Sequence, residues 1–143
     1  MSAAPTPGRC LCGAVTFVGR GAPMVKTCHC QMCRRWHGGP AVSVDFEDGI
    51  AILSGADDVS WYRSSDWAER GFCRTCGSTL FYRIIDNPDV LSGEAGQFDL
   101  PPGLQITEQF FIDEKPDYYA FKGDAPGLTG AEVFARYAPK DEP

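Results

Sequence analysis

The sequence predicts a mainly β fold, because its apolar segments are short and because Gly, Pro or Asp separates most of them. Short runs bounded by such residues are typical of strands, whereas amphipathic helices need longer periodic segments. The segments that fit a strand are, in chain order, residues 14–18, 24–28, 41–46, 50–53, 59–62, 79–85, 90–92 and 108–112.

Two short helices complete the predicted fold. The first covers residues 31–36 and the second covers residues 131–137. In the second, Val133, Phe134 and Tyr137 fall on one helical face, as an amphipathic helix requires. The aromatic residues that precede it are expected to be core and edge residues, and they are Phe110, Phe111, Tyr118, Tyr119 and Phe121.

Length and composition are those of an ordinary globular protein. The 143 residues suit one domain, which we expect over residues 8–130, with a flexible tail over 1–7 and a short helix and tail over 131–143. The net charge of -6 disfavours nucleic acid as a partner, which requires a basic surface. No apolar run approaches the roughly 20 residues of a membrane helix.

The N-terminus carries no basic region followed by an apolar one, so no secretory signal is expected and the cytoplasm is the expected location. Thiols stay reduced in that compartment, where they are free for metals or catalysis. The chain has seven cysteines, and their spacing is therefore informative.

The cysteines form three clusters, which read Cys10-Leu11-Cys12-Gly13, Cys28-His29-Cys30-Gln31-Met32-Cys33 and Cys73-Arg74-Thr75-Cys76-Gly77. Tight turns with paired cysteines supply two tetrahedral corners each to zinc, and a following Gly lets the backbone fold beneath the metal. A closed structural site needs four thiolates, whereas a catalytic site keeps one position open. The predicted closed site consists of Cys10, Cys12, Cys73 and Cys76. The predicted open site consists of Cys28, Cys30 and Cys33.

Other interpretations of these cysteines remain open. They could be buried structural residues, or Cys73 and Cys76 could form a redox dithiol, although no βαβ pattern surrounds them. The most serious alternative is a single closed site with three idle cysteines. His29 lies between two candidate ligands, and in an extended segment its side chain would point away from theirs, which favours a supporting role.

The same motifs resemble those of the glutathione-dependent formaldehyde-activating enzyme family, which includes centromere protein V-like proteins. The resemblance covers about residues 8–125 and rests on Gly8-x-Cys10-x-Cys12-Gly13-x-Val15-x-Phe17, Cys28-His29-Cys30-x-x-Cys33-Arg34, Phe72-Cys73-x-x-Cys76-Gly77-Ser78 and Glu114-Lys115-Pro116-Asp117-Tyr118. It implies a β-tent type fold of several small coiled antiparallel sheets. It also implies two zinc ions per chain, one structural and one in an open site.

The resemblance further implies a carbon–sulfur lyase that joins glutathione and formaldehyde into S-hydroxymethylglutathione, with Cys28, Cys30 and Cys33 at the catalytic zinc. Arg34 is the candidate contact for a glutathione carboxylate, because a guanidinium binds carboxylates in a bidentate manner. One departure is His37, where the family often has a small hydroxyl residue. His37 could close the second site and make it structural.

Two other functions are kept beside the lyase. The first is a non-catalytic zinc-binding module that binds a small thiol or a protein partner. The second is a zinc-stabilised domain with a different small substrate, since fold and metal transfer between relatives more reliably than substrate does.

Overall fold

A computed structural model describes residues 4–138 and confirms the mainly β fold. The described residues form eleven strands and two short helices, with three single turns of 3-10 helix. The strands are β1 Thr6–Arg9, β2 Thr16–Gly19, β3 Pro23–Cys28, β4 Ala41–Phe46, β5 Ile50–Ser54, β6 Val59–Arg63, β7 Ala68–Cys73, β8 Thr79–Ile84, β9 Asn87–Glu94, β10 Ile106–Phe110 and β11 Gly127–Leu128. The helices are α1 Gln31–His37 and α2 Gly130–Tyr137.

The chain divides into two compact units. The backbone passes from the first unit to the second within β3 and returns to the first within β4. One unit contains the described residues up to 25 together with 42–105, and the other contains residues 26–41 and those from 106 onward. The single domain expected over residues 8–130 stays a proposal. Residues 1–3 and 139–143, at the ends of the two expected tails, lie outside the described residues.

The larger unit is built from antiparallel strands. Strands β1, β2 and β5 form a three-stranded sheet in that order. Strands β6, β7, β8 and β9 form a meander in which each strand pairs with the next, and β4 pairs with β9 through Val44 and Gly93. Its core contains Phe17, whose ring centroid lies 5.0 Å from those of both Phe81 and Phe98. These edge-to-face contacts add to the burial of large apolar area.

Strand β1 begins inside the segment that was expected to be a flexible tail. Thr6 is buried and pairs with Gly19, and Pro7 pairs with Val18, so the tail expected over residues 1–7 is too long in the prediction. The segment lacks the alternation of apolar and polar residues that would predict a strand, and it becomes a strand because it pairs with β2. Gly8 is needed here, because a methyl group at this position would overlap the ring of Phe17.

The smaller unit contains both helices and one parallel strand pair. Strand β10 pairs with β11 in parallel register through Gln109 with Gly127 and Phe110 with Leu128, whereas the strand pairs of the larger unit are antiparallel. Helix α2 begins with a capping box, in which Thr129 and Glu132 satisfy each other's backbone N–H groups. Among residues 4–138, no helix has the length and apolar character needed to cross a membrane.

Two glycines in turns of the larger unit test how tightly it is packed. Gly55 and Gly49 both have a left-handed backbone (φ +79° and +88°), but only at Gly55 would a methyl group overlap the backbone carbonyl of Ala14. We expect Gly49→Ala to cost about 1–2 kcal/mol in unfolding free energy, the cost of left-handed backbone with a Cβ. Gly55→Ala should cost about 1–3 kcal/mol more, from overpacking. Chemical denaturation of both variants checks this, and equal losses would contradict it.

Candidate metal centres

The first candidate centre brings together the four cysteines that the sequence assigned to a closed site. Their sulfur atoms all lie within 4.8 Å of one another, and they belong to Cys10, Cys12, Cys73 and Cys76. The Sγ of Cys12 lies 3.6 Å from that of Cys10 and 3.8 Å from that of Cys73, so these thiols are not disulfide-bonded. Tetrahedral zinc with bonds of about 2.3 Å separates its sulfur ligands by about 3.8 Å. The donor set and its spacing therefore fit zinc.

Two turns with the same construction present these sulfurs. Cys10 directly follows β1, and the N–H of Gly13 donates to its carbonyl at 3.2 Å. Cys73 ends β7, and the N–H of Gly77 donates to its carbonyl at 2.7 Å. Both glycines have positive φ (+84° and +81°), a conformation that costs little only without a side chain. Each turn thus brings two sulfurs to one side of its backbone.

Ser78 joins the two turns, and this role was missed in the sequence. Its hydroxyl oxygen accepts the N–H of Leu11 at 3.0 Å and lies 3.1 Å from the Sγ of Cys76. The side-chain hydrogen bond from Ser78 is the main cause that lowers the pKa of the Cys76 thiol to about 5. A serine directly after a Cys-x-x-Cys-Gly turn was the available signal, but its partner Leu11 lies 67 residues away.

The thiols of this centre do not ionise independently. Although a backbone hydrogen bond from Ala14 favours its thiolate, the pKa of Cys12 is raised to about 12, because burial and the neighbouring Cys10, Cys76 and Cys73 thiols oppose a further negative charge. Sulfurs this close can all be thiolates only around a cation, since like charges in one site raise each other's pKa. A bound cation would therefore stabilise these four thiolates together.

The second candidate centre brings together Cys28, Cys30 and Cys33, whose sulfur atoms also lie within 4.8 Å of one another. Cys28 ends β3, Cys30 is the N-cap of α1 and Cys33 lies in its first turn, where its N–H donates to the Sγ of Cys30 at 3.3 Å. Cys30 and Cys33 are buried, and Ala41 and Phe111 pack against them. Hydrogen bonds with Cys30 and Cys33, together with burial, raise the pKa of Cys28.

No fourth His, Cys, Asp or Glu joins this centre among residues 4–138. The ring nitrogens of His37, at the last residue of α1, do not lie within 4.8 Å of all three sulfurs, and neither do those of His29. No Asp or Glu of the described chain belongs to the group either. The arrangement therefore gives no support to the hypothesis, made from the sequence, that His37 closes the site.

His29 lies between two of the clustered cysteines and is completely buried. Its Nδ1 lies 2.7 Å from the hydroxyl oxygen of Tyr119, and its Nε2 lies 2.9 Å from the Oε1 of Gln109. Burial lowers the pKa of His29, and the positive charges of Lys115 and Arg34 lower it further. The imidazole is therefore neutral at neutral pH. The supporting role expected for His29 stays a prediction, and Tyr119 and Gln109 are partners that the sequence did not reveal.

Arg34 is half-buried on α1, and its Nε donates to the carbonyl oxygen of His29 at 3.0 Å. Among residues 4–138 no carboxylate lies within ion-pair distance of it. Arg35, the next residue of the same helix, is exposed. Glu114 is a further contact that was missed, since its Oε1 accepts the N–H of Gln31 at 2.9 Å at the start of α1.

Comparisons with known proteins identify the family of this chain. A family model described as glutathione-dependent formaldehyde-activating enzyme matches residues 5–114. A protein of Schizosaccharomyces pombe named an uncharacterized lyase is 32% identical over 127 residues, which cover 88% of this chain and 92% of that protein. A crystal structure of a Rhodobacter sphaeroides protein superposes with a TM-score of 0.54 at 22% identity, covering 85% of this chain and 99% of the other, and supports the fold alone.

Proposed function

Because the chain belongs to the family of glutathione-dependent formaldehyde-activating enzymes, we propose that it is a lyase that forms and cleaves the adduct of glutathione and formaldehyde. In the forming direction the sulfur of glutathione bonds to the carbonyl carbon, and the thiol proton is transferred to the carbonyl oxygen, giving S-hydroxymethylglutathione. The similarity to a protein named a lyase supports the reaction class. The observation that carries the proposal is the group of three convergent thiols, which no fourth Cys, His, Asp or Glu of the described chain joins.

The proposal includes two zinc ions with different tasks. Cys10, Cys12, Cys73 and Cys76 would hold a structural ion. Cys28, Cys30 and Cys33 would hold the second, and a zinc ion there supplies a Lewis acid that keeps a bound thiol deprotonated. Support comes from the thiol donors that converge in both groups and, in the first group, from sulfur–sulfur distances that suit tetrahedral zinc.

The side chains around the three thiols prepare a site with restricted access to water. Phe111 and Ala41 pack on Cys30 and Cys33, so one side of the cluster is apolar. Polar and charged interactions are stronger in such surroundings than in water. A reactant thiolate in such surroundings would therefore interact more strongly with a bound zinc ion than it would in water.

Arg34 would bind a carboxylate of glutathione. The carbonyl of His29 already fixes its Nε, so the guanidinium is oriented and loses little freedom when a carboxylate binds. A half-buried cation without a carboxylate partner among residues 4–138 is suited to an anionic ligand.

Exchange NMR tests the reaction directly. Zinc-loaded protein is added to glutathione and ¹³C-labelled formaldehyde, and magnetisation transfer between the hydrate and the adduct methylene is measured. We expect faster exchange than with the same concentration of free zinc. Cysteine and 2-mercaptoethanol serve as comparison thiols.

Each outcome separates the candidate functions. Acceleration with glutathione only supports the lyase and its substrate. Acceleration with a comparison thiol alone would indicate a lyase-like domain with a different substrate. A glutathione-dependent change in the protein spectrum without acceleration would indicate a non-catalytic thiol-binding module. A protein that neither accelerates the exchange nor binds glutathione would contradict the proposed function.

A further inference from the structure

Every polar group of His29 has a partner within the smaller unit. Its N–H donates to the carbonyl of Phe110 at 2.9 Å, and its carbonyl accepts from Arg34 at 3.0 Å. Its two ring nitrogens meet Tyr119 and Gln109 at 2.7 and 2.9 Å. A residue bonded at four points cannot rotate about the backbone axis without breaking at least one hydrogen bond.

The hydrogen bonds also determine which ring nitrogen carries the proton. The Nε2 of Gln109 donates to the carbonyl of Ala125 at 3.3 Å, which turns the amide oxygen toward His29. An amide oxygen only accepts, so the Nε2 of His29 carries the hydrogen. The Nδ1 is then the acceptor and takes the hydroxyl proton of Tyr119. Tyr119 is itself held, since Lys115 Nζ donates to its carbonyl at 2.6 Å.

We infer that Tyr119 and His29 form a positioning pair that sets the directions of the Cys28 and Cys30 thiols before a metal binds. Side chains alternate along an extended segment, so the His29 ring leaves the backbone on the side opposite its two neighbours. Anchoring that ring fixes the rotation of the segment and hence both Cα–Cβ directions, from which the two sulfurs reach the site. The inference rests on the metal site proposed above and not on the reaction.

A residue that orients metal ligands contributes to metal affinity although it never touches the metal. Loss of such an outer contact typically weakens binding by about 10–100-fold. The expected cause here is a less ordered Cys28–Cys30 segment, which must be fixed at the moment of binding. The first metal centre provides an internal reference, because its four cysteines belong to the other unit.

Tyr119→Phe is the sharpest test, since it keeps the ring and removes only the hydroxyl, whereas a change of the buried His29 itself could prevent folding. Tyr118→Phe is the matched control, one residue earlier and exposed. Co²⁺ and Zn²⁺ affinities of both centres are measured by competition with a chelator, and Cys33→Ala identifies the titration step of the second centre. The Co²⁺ absorption bands report the ligand geometry.

We expect Tyr119→Phe to weaken the second centre by about 10–100-fold and to shift its Co²⁺ bands, with the first centre unchanged. Tyr118→Phe should leave both centres as in the parent protein. Unchanged affinity and spectrum in Tyr119→Phe would overturn the inference, and so would an equal loss at both centres, which indicates general destabilisation. ¹⁵N NMR should show Nε2 protonated in His29, one of only two histidines. A proton on Nδ1 would contradict the arrangement.

Discussion

Replacing Cys33 with alanine should abolish the second metal site and the catalysed exchange of the glutathione–formaldehyde adduct. The change leaves two sulfurs of the three that converge there, and no His, Asp or Glu of residues 4–138 belongs to the group. Loss of even an outer partner of a metal site weakens it by about 10–100-fold, so loss of a ligand should reduce exchange by more than about 100-fold. The zinc content, measured by metal analysis, should fall from two ions per chain to one.

The control for this prediction is Met32→Ala, the neighbouring residue of α1, which is exposed and belongs to neither group of cysteines. It should keep both zinc ions and full exchange activity. Near-ultraviolet circular dichroism should show that Cys33→Ala keeps its fold, because the first centre lies in the other unit. A Cys33→Ala protein that is fully active would exclude the three-cysteine group as the catalytic site. A variant that loses all structure would contradict the division into structural and catalytic metals.

Replacing Cys73 with alanine should have the largest effect on stability. Cys73 is completely buried, and the first centre joins turns whose cysteines are about 60 residues apart in the chain, Cys12 and Cys73 being separated by 61 positions. Apparent binding free energies of structural zinc reach about 10–16 kcal/mol and contribute directly to folding. We expect the free energy of unfolding to fall by at least about 5 kcal/mol. This is only a fraction of the binding free energy, because the strand pairs of the unit remain.

Thermal unfolding with and without a chelator measures this loss. For a chain of this size a change of 5 kcal/mol lowers the Tm by roughly 10–20 °C. The Tm of the parent protein should fall by a similar amount when a strong chelator is added, whereas the Tm of Cys73→Ala should change much less. Thr75→Ala is the matched control, since Thr75 is exposed in the same turn between the two ligands. A chelator response in Cys73→Ala equal to that of the parent would contradict a structural metal at this centre.

The cysteine turns could be predicted because their geometry is local. The turn Cys73-x-x-Cys76-Gly77 forms through contacts within five residues. Gly77 adopts a positive φ, which glycine reaches at little cost because it has no side chain. The same holds for helix α1, predicted at 31–36 and found at Gln31–His37, because its N-cap and first turn lie within the cysteine motif. Eight strands were predicted for the same reason, each from a local apolar pattern.

Strands β7 and β11 were missed because their pairing is not visible in their own residues. Strand β7 contains Glu69 and Arg70, which are polar by type, yet Arg70 is buried once β6 and β8 flank it. Strand β11 has two residues and exists through its pairing with β10. Strand β10 ends before the predicted position because Phe111 adopts a left-handed backbone (φ 57°), which interrupts an extended segment.

The sequence by itself determined which seven sulfurs are candidate metal donors and predicted the turns of the first group, since these depend on spacing and on glycine. Only the tertiary structure decided which turns meet and what surrounds them. Ser78 reaches Leu11 across 67 residues, and Tyr119 reaches His29 across 90. Strand pairing and burial bring such partners together, because buried polar groups need hydrogen-bond partners. The local pattern of one segment does not show which distant segment will supply that partner.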